Sequence, residues 1–323
     1  MTVKLRPLGN SGLLVSPVAL GCWPIAGMTS LGVTDEESRA TITAAIDAGI
    51  NFLDTAYIYG TDGQSEKLIG EVIAGQRDKL VIATKGGIHW DAKGDRAFDG
   101  SRATIHRECR ESLRRLTIDV IDIYYLHAPD PNLPIEESAA AIAELQTAGL
   151  IRAAAVSNVT VEQLQRFQAV CPVAAVQPPY NMLQRQIESD LVPYCLEHNI
   201  GLCIYWPLLK GLLAGKLARD HVFQPGDGRP KYPMFQGEEW QRNQDLLDDL
   251  RVIAADAGKT VPQLVVQWTI AQPGITSALC GAKRPDQILE SAAALQDEIT
   301  PEQLSRIAAA LARRGPAVTR SAV

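Results

Sequence analysis

Asp54, Tyr59, Lys85 and His127 are the residues of this chain whose types and spacing could move a proton. Three of them close short apolar runs. Phe52-Leu53 precedes Asp54, Leu80-Val81-Ile82-Ala83-Thr84 precedes Lys85, and Val120-Ile121-Asp122-Ile123-Tyr124-Tyr125-Leu126 precedes His127. Tyr59 follows Asp54 after a short loop and is itself followed by Gly60. A phenol is a poor proton donor or acceptor near neutral pH, because its ordinary pKa is about 10. A neighbouring ammonium favours phenolate over phenol, and a carboxylate keeps that ammonium charged and aimed. Taken singly, each residue has an ordinary role: a helix-capping Asp, a rim Lys, a structural His. Together on one rim they make a proton donor, its activator, the activator's counter-ion and a hydrogen-bonding imidazole.

The elements that must position them alternate along the chain. A small hairpin is predicted from Val3 to Ser16, around Gly9-Asn10-Ser11-Gly12, covering the amino-terminal face. Strands are then predicted at residues 18–22, at 51–54, from Val81, up to His127, and at 151–156, 173–176, 200–205 and 275–280. Helices are predicted between them. Thr34 and Glu37 stand at the capping-box offset, as do Thr160 and Gln163, and Gly49 stands where a helix ends. Ile105, Cys109, Leu113 and Leu116 share one face of a helix from Ser101. Further helices are predicted at 66–74, 135–148, 187–197, 241–257 and 261–270, from Pro285, and from Thr300 with Pro301 in its first turn. Eight mostly apolar strands, each followed by a helix, imply a parallel sheet covered on both faces. The expected fold is therefore an α/β (β/α)8 TIM barrel with a short N-terminal β-hairpin, one domain over residues 1–323. An open doubly wound sheet is the rival, but Leu20-Gly21-Cys22-Trp23 lacks its Gly-x-Gly-x-x-Gly turn.

Composition narrows the classes. With 46% hydrophobic and 21% charged residues, the chain is of ordinary globular type. A formal charge of −6 gives no basic footprint for nucleic acid. No signal peptide and no membrane-length apolar run is expected, so the cytoplasm is the expected location. Cys22, Cys109, Cys171, Cys195, Cys203 and Cys280 form no Cys-x-x-Cys pair and are read as buried reduced thiols, and no metal site is expected.

Asp-Thr-Ala-x-x-Tyr-Gly at Asp54–Gly60, the strand-end Lys85 and the Tyr-Tyr-Leu-His strand resemble the aldo-keto reductase family. Val156-Ser157-Asn158, Gln177-Pro178-Pro179-Tyr180-Asn181 and Gly211-Leu212-Leu213-Ala214-Gly215-Lys216 extend the resemblance, which runs from Leu8-Gly9 to Glu290. It implies the barrel and reversible, nicotinamide-dependent reduction of aldehydes or ketones. Tyr59 would give the carbonyl oxygen its proton, Lys85 would lower the pKa of Tyr59, Asp54 would hold Lys85, and His127 would donate to the carbonyl oxygen. Ser157, Asn158 and Gln177 would hold the nicotinamide carboxamide, with Tyr205 stacked on the ring and Cys22 and Trp23 nearby. The pyrophosphate would lie along Leu208 to Gly211, where Lys210 supplies a cation, with Trp206 and Pro207 also in the cofactor site and Lys216 and Arg229 as a clamp on the dinucleotide.

Gly281 and Ala282 would close the last strand in the cofactor site, and Lys283, Arg284 and Gln287 would begin the helix after it, where a phosphate is favoured. The cations Lys283 and Arg284 select NADP(H) over NAD, since a 2′-phosphate needs Arg or Lys. Two positions depart from the family pattern: Ser291 where many members carry Asn near the adenine, and Trp206 where a small Ser is common. Gly211–Lys216 is one residue short of a nucleoside-triphosphate loop and no Ser or Thr follows Lys216. Trp23, Pro24, Tyr57, Tyr59, His89, Trp90 and His127 would wall the substrate pocket, and residues 221–237 would fold over the cofactor as a lid. The small-residued tail after Arg313 points to small aldehydes, sugars or aliphatic carbonyls. A small-molecule carbonyl or sugar is thus the expected partner, with no nucleic acid or membrane, for a monomer or weak homo-oligomer. The alternatives are an oxidative aldose dehydrogenase and a redox-sensing regulatory subunit built on the same barrel.

Overall fold

Residues Val81–Gly86 and Ile121–Leu126 are buried at every position, as strands covered on both faces must be. The computed structural model describes residues 3–27 and 32–318. It opens with an antiparallel hairpin of β1 (Arg6–Pro7) and β2 (Leu14–Val15). Eight parallel strands follow: β3 (Val18–Gly21), β4 (Phe52–Asp54), β5 (Val81–Gly86), β8 (Ile121–Leu126), β9 (Ile151–Ser157), β10 (Ala175–Gln177), β11 (Gly201–Tyr205) and β12 (Ile275–Gly281). In that order they close into a barrel, β12 pairing with β3. A second hairpin, β6 (Ile88–Trp90) with β7 (Arg96–Phe98), rises from the end of β5.

The outer helices are α1 (Asp35–Asp47), α2 (Gln64–Ile73), α3 (Arg102–Leu116), α4 (Ile135–Thr147), α5 (Val161–Gln168), α6 (Leu191–Glu197), α7 (Gly237–Asp256), α8 (Val261–Ile270), α9 (Pro285–Ala292) and α10 (Pro301–Arg314). The Thr160 capping box forms as expected, and Thr34 accepts from the Glu37 N–H. Gly49 is left-handed, with φ of 88°. The expected helix over 187–197 is shorter: a 3-10 turn occupies Gln186–Ser189 and α6 starts only at Leu191. Pro193 explains the difference. It lacks an N–H and is tolerated in a first turn, so Asp190 caps a new helix by accepting from the Leu191 N–H. The hairpin β6–β7 is an addition to the predicted elements, its turn closed by Gly94 N–H to the Asp91 carbonyl at 3.0 Å and by a side chain. Asp91 Oδ1 accepts from the N–H groups of Lys93 and Asp95 at 2.8 and 2.9 Å, an Asx turn.

Strand side chains alternate between faces. The inward set includes Ala19, Phe52, Val81, Ala83, Ile123, Tyr125, Ala153, Ala155, Ala175, Cys203 and Leu279, and Leu8, Leu13 and Val15 of the hairpin floor it. Small alanines in this set leave room for Phe52 and Tyr125. The outward set packs against the helices. Counting on by two from the inward residues reaches Asp54, Lys85, His127, Ser157, Gln177 and Tyr205. One parity rule therefore sends all six to the same mouth.

Gly86 guards this layer directly after Lys85. A Cβ there would collide with the Tyr124 hydroxyl and approach Glu108 Oε2 at 3.1 Å. Both neighbours are buried and held, so the strand would have to move. Gly86→Ala is expected to lower stability by ~1–3 kcal/mol, read as a lower urea midpoint at an unchanged slope. An unchanged midpoint would show that the end of β5 has room to spare.

Candidate active site

The Lys85 side chain is fully buried and its ammonium is surrounded by oxygen. Nζ lies 2.6 Å from Asp54 Oδ1 and 2.7 Å from the Thr55 carbonyl oxygen, and it donates to Tyr59 Oη at 3.5 Å. Its three donors thus have three acceptors. Asp54 spends its other oxygen on Gln177, whose Nε2 donates at 2.8 Å. Desolvation would pull the Lys85 ammonium down, but Asp54 and then Tyr59 outweigh it and hold its pKa above the ordinary value. Burial raises the Asp54 carboxyl, with Lys85 opposing.

The Tyr59 phenol is 9% exposed. Its pKa was expected to fall, and here it rises. Burial raises it more than Lys85 lowers it. The protonated phenol is therefore the resting form, a donor and not a base at neutral pH. The Tyr59 and His127 rings lie 5.9 Å apart, and Trp23 meets Tyr59 edge-on at 4.9 Å. Burial, then Lys85 and Arg96, hold the His127 imidazole well below its ordinary range, so it is neutral. Its Nδ1 is buried without a hydrogen-bond partner among the described residues. Such an atom is costly unless something meets it.

Beyond this group the rim is wired together. Ser157 Oγ donates to the Gln177 carbonyl at 2.8 Å, Asn158 Nδ2 to the His127 carbonyl at 2.9 Å, and Tyr205 Oη to Asn158 Oδ1 at 2.7 Å. Asn158 is left-handed, with φ of 59°. After β11 the backbone is strained further: Trp206, Leu209 and Lys210 have φ of 62°, 43° and 55°. Such positions cost ~1–3 kcal/mol each and cluster where ligands bind. The Lys210 ammonium lies 4.3 Å from the Trp206 ring centre and 4.6 Å from that of Tyr232. Burial, then Arg229, with Arg284 adding, lower the pKa of Lys283. Asp227 opposes them and chelates Arg229 at 2.6–3.0 Å. Cations that raise one another's cost, beside a strained loop, suit a polyanion such as a dinucleotide.

Several expected partners stand elsewhere. Lys216 pairs with Glu290 at 2.6 Å. Gln287 Oε1 accepts from the Lys283 N–H, and Ser291 Oγ bonds back to the Gln287 carbonyl. Tyr57 donates to Glu111 at 2.8 Å, with Arg115 against its ring, so its polar end faces α3 and not Tyr59. His89 likewise faces Glu108, Nδ1 to Oε1 3.0 Å. Trp90 ties its indole N–H to the Ile58 carbonyl at 3.0 Å. The expected lid is pinned at its far end, where Met234 and Phe235 are buried and Asn243 holds the Met234 carbonyl. The carbonyl of Thr55 and the side chain of Arg96 were missed. A backbone acceptor leaves no residue-type signal, and Arg96 lies in the hairpin that was not foreseen.

Among the described residues no helix is long and apolar enough to cross a membrane. No cluster of three or more His, Cys, Asp or Glu there could hold a metal ion, and all six cysteines are buried without a disulfide.

The sequence model of the Aldo/keto reductase family matches residues 17–312. The chain is 41% identical to aldo-keto reductase YhdN of Bacillus subtilis (strain 168), over 88% of this chain and 87% of that one. It is 35% identical to an NADH-specific methylglyoxal reductase of Escherichia coli (strain K12), over 91% and 94%. The glycerol dehydrogenase AKR11B4 from Gluconobacter oxydans superimposes with a TM-score of 0.89 at 36% identity, covering 100% of this chain and 98% of that one. A barrel mouth of this wiring and matches of this length lead to one conclusion: the chain belongs to the aldo/keto reductase family.

Proposed function

We propose that this chain, acting as one domain over residues 1–323, is an NADP(H)-dependent oxidoreductase that reduces aldehyde or ketone carbonyls to alcohols. The observation that carries the reading is the Lys85 ammonium set between Asp54 Oδ1 at 2.6 Å and Tyr59 Oη at 3.5 Å. When bound, the nicotinamide supplies or accepts the hydride. The chain's own residues do the rest. Negative charge grows on the carbonyl oxygen as it is reduced, and a neutral His127 N–H placed against it stabilises that charge. Tyr59, protonated at rest, gives the oxygen its proton. Lys85 then stabilises the phenolate left behind, and Asp54 and the Thr55 carbonyl keep Lys85 in place. Read backwards, phenolate accepts a proton from an alcohol. The likeness to a glycerol dehydrogenase makes polyols natural substrates in that direction.

Ser157, Asn158, Gln177 and Tyr205 are assigned to the nicotinamide end, and Leu208–Gly211, Arg229, Lys283 and Arg284 to the phosphates. The two cations at the start of α9 favour NADP(H) through a 2′-phosphate, although the methylglyoxal reductase relative is NADH-specific. Tyr59→Phe is expected to cost ~10²–10⁴ in kcat/KM, while NADPH binding by fluorescence stays unchanged. Reduction at the parental rate would remove Tyr59 from its role. Lys283→Ala with Arg284→Ala should weaken NADPH about tenfold or more and leave NADH nearly untouched. Equal losses for both would remove the phosphate argument.

The pH profile follows from the shifts. Reduction needs the protonated phenol, whose raised pKa keeps it protonated through neutrality, so the rate should stay level there and fall only in the alkaline range. Alcohol oxidation needs phenolate and should rise with pH. His127 is held neutral and should add no acid limb. A reduction rate that falls on passing from alkaline to neutral pH would contradict both assignments.

A further inference from the structure

One cation at the substrate mouth has no task in the reading above. Arg96 lies on β7, exposed, with its guanidinium carbon 5.6 Å from the centre of the Trp23 ring. Trp23 in turn meets Tyr59 edge-on at 4.9 Å. The hairpin that carries Arg96 is fixed in place. Trp90, its register partner on β6, ties its indole to the Ile58 carbonyl one residue before Tyr59. At the hairpin root Glu108 accepts the Gly87 N–H at 2.7 Å. The cation also reaches inward electrostatically, since it helps to hold His127 neutral.

Its chemistry is unlike that of the other arginines. Among the described residues only Arg6, Arg96 and Arg110 make no ion pair. Arg6 and Arg110 donate to backbone carbonyls instead. Arg96 alone rests only on an aromatic face. Asp95 precedes it without pairing, and Asp91 is engaged in the hairpin turn. Ala26, Ala56, Ile58, Ile88 and Ala128 form a buried apolar cluster with Tyr59, and the half-buried rings of Trp23 and Phe98 pack against it. Among the described residues, an acidic protein that neutralises nearly every guanidinium leaves this one open on the ring that packs against Tyr59.

We propose that Arg96 is a specificity-determining residue that selects carbonyl substrates carrying an anionic group, a carboxylate or a phosphate, at the far end of a short aliphatic chain. The carbonyl meets Tyr59 and His127, the chain lies along the half-buried rings of Trp23 and Phe98, and the anion meets the guanidinium, which suits planar, bidentate recognition of carboxylate and phosphate. The inference rests on the carbonyl-reducing reading and adds the substrate class to it.

The test compares matched pairs: a short aldehyde acid with its methyl ester, and glyceraldehyde 3-phosphate with glyceraldehyde. The parent enzyme should prefer the charged member of at least one pair in kcat/KM. Arg96→Gln should cost that member about tenfold, chiefly in KM, and leave the neutral members within about twofold; Arg96→Lys should retain part of the preference. Carboxylate loss alone names a carboxylate, and phosphate loss alone a phosphate. Equal loss for charged and neutral members, or no loss, overturns the proposal and makes Arg96 a cover for Trp23. A second readout does not depend on turnover. Titration with a short dicarboxylate should quench tryptophan fluorescence, and Arg96→Gln should weaken that binding about tenfold. If no aldehyde is reduced yet this binding difference appears, the carbonyl-reducing reading fails and the anion site stands; identical binding in both proteins ends the anion site.

Discussion

A lysine and an aspartate, both withdrawn from water, meet at 2.6 Å at the mouth of the barrel. Burying two charges costs several kcal/mol per ion, and their attraction offsets this only when geometry is good and the remaining donors and acceptors are filled. Here they are filled. Thr55 and Tyr59 take the other ammonium donors, and Gln177 takes the second carboxylate oxygen. These partners come from β4, its following loop, β5 and β10, so the pair is possible only where strands distant in sequence converge. A hydrophobic pair of similar size would often be no less stable. What the ion pair supplies instead is a fixed positive charge beside a phenol in a place of low dielectric.

The closed sheet makes that convergence unavoidable. Its inward positions alternate, so the last inward residue of each strand faces the same mouth as its neighbours'. Below it, Phe52, Tyr125 and the alanines fill the interior as a packed core, floored by Leu8, Leu13 and Val15 of the hairpin. The polar layer thus rests on an apolar plug that excludes water from beneath Lys85. Exclusion of water also explains why the Tyr59 pKa rises despite the ammonium beside it. Burial penalises phenolate more than one partly shared cation, at 3.5 Å, favours it.

Strain and charge gather on the far side of the same mouth, after β11 and β12. Trp206, Leu209 and Lys210 hold left-handed backbone without being glycine, a cost borne by the barrel and by aromatic packing around Lys210. The basic residues there are tethered, Arg229 by Asp227 and Arg284 by Asp286. A tethered guanidinium is pre-placed for an anion and loses less freedom on binding. Lys216, expected in this set, pairs with Glu290 of α9 instead.

The amino-acid sequence by itself determined the strand–helix alternation, the caps at Thr34 and Thr160, the start of the last helix at Thr300, and the identity of Asp54, Lys85 and His127 as strand-end residues. Period and capping are local, so they are legible in one dimension. It also disclosed the family, because Asp54–Gly60 and the Tyr-Tyr-Leu-His strand are continuous motifs. Only the tertiary structure decided which way side chains with two nearby choices turn. Tyr57 sits in the loop after β4 and His89 on β6, yet Glu111 and Glu108 of α3 draw their polar groups toward that helix. The shortening of the helix before Glu197 was legible in Pro193 but was not read, since a first-turn proline looks like any other until the start is known. The sign of the Tyr59 shift and the place of Arg96 above Trp23 depend on burial and on how the β6–β7 hairpin docks, with Trp90 held to the Ile58 carbonyl. Those are sums over neighbours far apart along the chain, and no local pattern carries them.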